Sequence, residues 1–117
     1  MRTVPKPWGR EEIFAETERY AGKLLYIDPG QSLSLQYHRR KDETLYVLEG
    51  EVILEVGTED AMTTVRLTRG QSYRITPGTR HRMSAETACV LAEVSSPELD
   101  DVVRLEDRYG RAGTTEP

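Results

Sequence analysis

The chain has 117 residues, enough for one compact domain and too few for two. Apolar residues make up 37% of it, which supports a modest core, and a formal charge of −4 with no long basic run argues against a nucleic-acid domain. No apolar run is long enough for a membrane span, the lone Cys89 has no partner for an internal disulfide, and the start MRTVPKPWGREE lacks a hydrophobic signal core, so a cytoplasmic protein is expected.

In chain order the pattern is strand and turn. Residues 1–12 read as an N-terminal arm, and Ile13 and Phe14 fit an edge strand as well as a single helical turn. Lys23 to Asp28 reads as a strand stopped by Pro29-Gly30. Leu33, Leu35 and Tyr37 then alternate with Ser34 and Gln36, the period of a half-buried strand. Leu45 to Leu48 follows, closed by the turn Glu49-Gly50-Glu51, and Val52, Leu54 and Val56 alternate up to Gly57. Thr63, Val65 and Leu67 predict another strand, ended by Arg69-Gly70. A short one around Tyr73 and Ile75 leads into Thr76-Pro77-Gly78, and Cys89 to Val94 is the most apolar run. Residues 112–117 read as a loose tail. Many short strands with frequent turns predict an all-β sandwich or barrel.

Both histidines lie beside glycine-marked bends. Gln36 and His38 are two apart, so on one strand they share a face; Glu43 follows a charged bend, and His81 follows Gly78. One amide, one carboxylate and two imidazoles form a nitrogen and oxygen donor set that suits zinc, manganese, iron, cobalt or nickel without choosing among them. Each histidine taken alone is an ordinary hydrogen-bonding residue, and spacing by itself does not establish a site. Arginine outnumbers lysine 13 to 3, a bias towards salt bridges or oxyanion contacts. Cys89 has no adjacent base and reads as packing.

The segment GQSLSLQYHRRKDETLYVLEG resembles the first cupin motif, with Gly30, Gln36, His38, Glu43 and Gly50 at its fixed positions. GQSYRITPGTRH resembles the second, with Gly70, Gly78 and His81. Pro7-Trp8-Gly9, Lys23, Leu33-Ser34-Leu35-Gln36 and the closing VVRLEDRYGR look like the cupin domain of type II mannose-6-phosphate isomerases. The resemblance implies a single cupin domain over 1–117, a double-stranded β-helix or jelly-roll barrel, with one divalent ion on Gln36, His38, Glu43 and His81. Zinc is the first expectation; manganese, nickel, cobalt and iron are the others. It further implies a homodimer and a sugar or sugar phosphate as ligand, with no nucleic acid and no membrane as partner.

The reaction so implied is aldose–ketose isomerisation of a phosphosugar such as mannose 6-phosphate, which needs a proton-transferring group. Lys23 is the catalytic candidate, and Arg108 and Arg111 are the phosphate candidates. The chain departs from the pattern at Arg39, Arg40 and Lys41 in a usually histidine-rich bend, at Thr44, at the shifted Pro77 and at Ala85. These departures leave two alternatives open: another metal-dependent cupin enzyme (a sugar isomerase, epimerase or oxygenase), or a non-enzymatic sugar- or metabolite-binding cupin. Sugar-nucleotide synthesis is not expected of these residues.

Overall fold

Alternation of apolar and polar side chains resolves, in the computed structural model, into eleven strands among the described residues, which are 1–110 and 112. They are β1 (Arg2–Lys6), β2 (Gly9–Glu16), β3 (Ala21–Ile27), β4 (Leu35–Tyr37), β5 (Glu43–Glu49), β6 (Glu51–Gly57), β7 (Met62–Thr68), β8 (Ser72–Ile75), β9 (Arg80–Ser84), β10 (Cys89–Ser95) and β11 (Val103–Glu106). One sheet runs β1-β2-β3-β10-β5-β8, the other β11-β4-β9-β6-β7. All their pairings are antiparallel.

The two sheets share one core. Leu25, Leu45, Val47 and Leu91 point inward from the six-stranded sheet and meet Val52, Leu54, Val56 and Met83 from the five-stranded sheet. On β6 these buried residues alternate with the half-exposed Ile53 and Glu55, as the pleat requires. Gly50 turns β5 into β6 at φ +77°, and a Cβ there would stand 2.4 Å from the Ala88 carbonyl oxygen, so glycine is required on both counts.

The fold is all-β and single-domain, but the expected barrel does not close. The first sheet ends in β1 and β8 and the second in β11 and β7, and neither joins its own edges among the described residues. Burial is achieved instead by two inner faces packing on each other. The expected strand from Leu33 also differs. Regular pairing begins only at Leu35, and Leu33, bonded through its N–H to the Met83 carbonyl, packs into the core. The stretch expected as an arm is paired, as β1 and part of β2, along the edge of the larger sheet. Strands β9 and β11 were not among those expected. Apart from Ala112, the tail lies outside the described residues.

Candidate metal centre

The turn at residues 38–42 carries the chain from β4 in one sheet to β5 in the other. His38 stands at its start and Glu43 at its end, and His81 arrives on β9 directly opposite Gln36 of β4. Cα partners on adjacent strands project to the same side, so Gln36 and His81 share the inner face. His38, Glu43 and His81 are all buried, and each offers a ligand atom within 4.8 Å of the others.

Second partners fix the orientation of both imidazoles. His38 Nδ1 lies 2.5 Å from the Asp101 carbonyl oxygen, and His81 Nδ1 lies 3.0 Å from that of Thr79. A carbonyl only accepts, so each Nδ1 carries the proton, and in the neutral imidazole each Nε2 is left with its lone pair. Those lone pairs face Glu43 Oε1 at 3.6 and 3.3 Å. Neither Glu43 oxygen has a hydrogen-bond partner of good geometry among the described residues, although Lys41 Nζ stands 3.0 Å from Oε2. Two imidazole nitrogens and a carboxylate oxygen without a hydrogen-bond donor thus converge on one point of a buried cavity. The residues therefore fit a divalent ion, and the carbonyl-oriented histidines are the arrangement such ions require.

The loop is held as tightly as the ligands. Asp101 accepts N–H bonds from Arg39 at Oδ1 (3.1 Å) and from Arg40 and Lys41 at Oδ2 (2.7 and 3.0 Å). Burial opposes ionisation of this carboxyl, and the three amides outweigh it, lowering its pKa. Gly78 adds an N–H bond of 2.7 Å to the His38 carbonyl from a residue at φ +82°. Asp101→Ala should keep the carbonyl that orients His38 yet free the loop behind it. Metal affinity, read by competition with a chromogenic chelator, should fall about tenfold. An unchanged affinity would show that the loop needs no such clamp.

A buried ionic chain extends from Glu43. Lys41 Nζ lies 3.0 Å from both Glu43 Oε2 and Glu93 Oε2; Lys23 Nζ lies 3.8 Å from Glu93 Oε2 and 3.3 Å from Glu11 Oε1. Burial alone would raise the Glu43 pKa, but the Lys41 ammonium beside it holds it well below the carboxylate range. Burial would likewise lower that of Lys41, but Glu93 and Glu43 carry it above its ordinary value. Three carboxylates and two ammoniums leave one negative charge in excess, which a divalent cation beside Glu43 would reverse. Burial also pushes the Cys89 thiol up to about 11, in keeping with a packing role.

These groups line a cavity of about 40 Å³, together with Gln36, Trp8 and the buried Arg104 of β11. That is room for an ion and a few waters, since one water needs about 10–15 Å³ of such volume. Trp8, Leu99 and Val102 form apolar parts of its wall.

Of the residues singled out in sequence, the structure brings Gln36, His38, Glu43, His81 and Lys23 to this cavity. Arg108 is not in its lining. Its Nη1 donates to the Gly30 carbonyl at 3.0 Å, beside a separate groove that Glu55, Glu106 and Asp107 also line. Arg111 lies outside the described residues. Glu93, Glu11 and Asp101 are not expected at the site from sequence, and Lys41 reads there only as one of several cations available to a phosphate. Glu93 carried a usable signal: it has the same strand parity as Cys89 and Leu91, and a carboxylate at a core position needs a buried partner.

A two-sheet β-fold with a pair of histidines and a carboxylate converging between the sheets defines a small metal-binding β-protein. The chain belongs to the cupin family, whose domain model matches residues 23–95. Over 115 residues it is 35% identical to the xanthan biosynthesis protein XanB of Xanthomonas campestris pv. campestris (strain B100), covering 94% of this chain and 24% of that one. The mannose-1-phosphate guanylyltransferase ManC of Salmonella typhimurium is also 35% identical over 115 residues, covering 94% of this chain and 23% of ManC. The chain thus spans about a quarter of these curated relatives. In fold it is similar to the capsular polysaccharide assembling protein CapF of Staphylococcus aureus, with a TM-score of 0.79 at 17% identity, over 90% of this chain and 31% of CapF. No helix among the described residues is long and apolar enough to cross a membrane.

Proposed function

We propose that this chain is a metal-dependent cupin enzyme acting on a sugar-type metabolite, with its ion held by His38, Glu43 and His81 and by Gln36 as fourth donor. The observation that carries this reading is the convergence of two imidazole Nε2 atoms on Glu43 Oε1, a carboxylate oxygen with no hydrogen-bond partner among the described residues, in a buried cavity. A divalent ion there supplies a Lewis acid for a carbonyl and its neighbouring hydroxyl. The chain's own groups do the rest. Salt-bridged Lys23 and Lys41 donate hydrogen bonds, Glu11 and Glu93 accept them, and Trp8, Leu99 and Val102 supply apolar contact.

The narrower form of the proposal is aldose–ketose isomerisation of a phosphosugar such as mannose 6-phosphate. Similarity to ManC over almost the whole chain supports it, since that relative's name places it at mannose phosphates. The cavity of about 40 Å³ favours a second reading, another cupin chemistry or simple binding of a smaller metabolite, because a hexose phosphate enters only if the covering residues move. Metal analysis paired with turnover separates these. Protein loaded in turn with zinc, manganese, cobalt, nickel and iron is assayed for interconversion of mannose 6-phosphate and fructose 6-phosphate. Stoichiometric metal with turnover supports the isomerase; stoichiometric metal without it moves the search to other sugars. No metal under any condition overturns the enzyme reading.

The chain is also proposed to pair with a second copy through the outer face of the six-stranded sheet. Phe14, Tyr46, Leu48 and Val94 are exposed there, Val94 to 56%, and Arg10, Glu12 and Arg74 give the patch charges of both signs at its rim. Sedimentation at micromolar concentration should report a dimer that Val94→Asp converts to monomer; a monomeric wild type would remove the proposal.

A further inference from the structure

The ionic chain has two ends. One is Glu43, occupied by the metal centre; the other is Glu11, and neither the fold nor the centre accounts for it. Glu11 projects inward from β2, 5% exposed, and lines the cavity. Its Oε1 is held by Lys23 Nζ at 3.3 Å, while its Oε2 is buried with no hydrogen-bond partner among the described residues. A buried carboxylate oxygen left so is costly unless something donates to it. Lys23 is the complementary half. An ammonium has three N–H donors; one is given to Glu11 Oε1 at 3.3 Å, and Glu93 Oε2 at 3.8 Å is an ion pair beyond hydrogen-bond reach, so donors remain for a further acceptor.

We propose that Glu11 and Lys23 are a hydroxyl-recognition pair, which binds the neutral, polyol segment of the substrate while the ion at the other end of the chain holds the reacting oxygens. A carbinol group is both donor and acceptor, so its O–H satisfies Glu11 Oε2 while its oxygen accepts a remaining proton of Lys23. A phosphate is disfavoured at this end, because its negative charge would lie against the carboxylates of Glu11 and Glu93. The pair therefore sets direction: hydroxylated carbons point towards β2, and any anionic substituent points away from it. This inference rests on the sugar-type substrate proposed above and deepens it. It also gives Lys23 a different task from proton transfer, since between two carboxylates it acts as a fixed donor that aligns the substrate.

Glu11→Gln keeps the shape and removes the charge, so it tests the pair without opening a cavity. Metal content of wild type and variant is measured first, with circular dichroism as the fold control. Both are then titrated calorimetrically, loaded and chelated, with D-mannose, mannose 6-phosphate and inorganic phosphate. The expected result is unchanged metal content, about tenfold weaker binding of both sugars, and phosphate binding that does not fall. A merely structural role would weaken all three ligands together and overturn the proposal, as would sugar affinity equal to wild type. If wild type takes up metal but binds neither sugar, the pair is not a polyol site and the metal centre stands. If no metal binds, the enzyme reading falls while the sugar titrations still decide the pair. Should Glu11→Gln not fold, Glu11→Asp, which retains the charge but withdraws it from the cavity, is expected to give the same pattern at smaller amplitude; sugar affinity equal to wild type there overturns the proposal.

Discussion

Glu43→Gln is expected to abolish stoichiometric metal binding. The substitution removes the only anionic ligand of the cluster and leaves two neutral imidazoles and an amide beside the ammonium of Lys41, 3.0 Å from the former carboxylate. Groups that merely support ligands cost 10–100-fold in affinity when lost, so removal of a charged ligand should cost at least about 100-fold. His81→Ala removes a donor without changing charge and should lose metal sharply as well. The readout is metal per chain after gel filtration, with mannose 6-phosphate turnover beside it. A Glu43→Gln protein that retains one ion per chain would place the ion elsewhere.

Lys41→Met is expected to destabilise the metal-free protein by ~3–5 kcal/mol, the ordinary cost of removing one partner from a buried ion pair. Lys41 is 3% exposed, and its ammonium is the only cation within salt-bridge distance of Glu43 among the described residues, apart from the histidines were they protonated. Methionine matches the aliphatic stem, so the loss reports charge more than volume. The companion Glu93→Leu removes the carboxylate on the other side, also 3.0 Å away. Because the two residues touch, their effects should not add, and the double variant should be less destabilised than the two single losses together. Urea unfolding with chelator present measures all four proteins. Additive losses would mean that the Lys41–Glu93 contact contributes nothing as a pair.

Much of this architecture was legible in the sequence where physics acts locally. Alternation fixed β6, since every second side chain of a half-buried strand must be apolar, and it marked β7 through Val65 and Leu67 although most of that strand is exposed. Turn glycines marked the ends of β5 and β8. The metal cluster was legible through motif resemblance, and strand parity placed Gln36 and His38 on one side. Two kinds of feature were not legible. Prolines at 5 and 7 obscure the β1–β2 hairpin, because Pro5 removes a ladder donor that an edge strand does not need. Buried charges were hidden because their partners lie far away in sequence: Lys41 meets Glu93 across 52 residues, and Asp101 clamps a loop about 60 residues away. In sequence Lys41 sits with Arg39 and Arg40 as one basic run, yet the loop turns it inward while those two remain exposed.

The short turn at residues 38–42 ties the fate of the ion to that of the fold. His38 and Glu43 are five positions apart yet stand at opposite ends of the turn between the two sheets, and His81 comes from the second half of the chain. An ion gripping all three is a staple through the sandwich, one that an unfolded chain cannot offer. Such a ligand stabilises by mass action, by ~2.7 kcal/mol when free metal is 100 times its dissociation constant. The melting temperature of this protein is thus a metal gauge, and preparations that differ only in trace metal should melt as though they were different proteins.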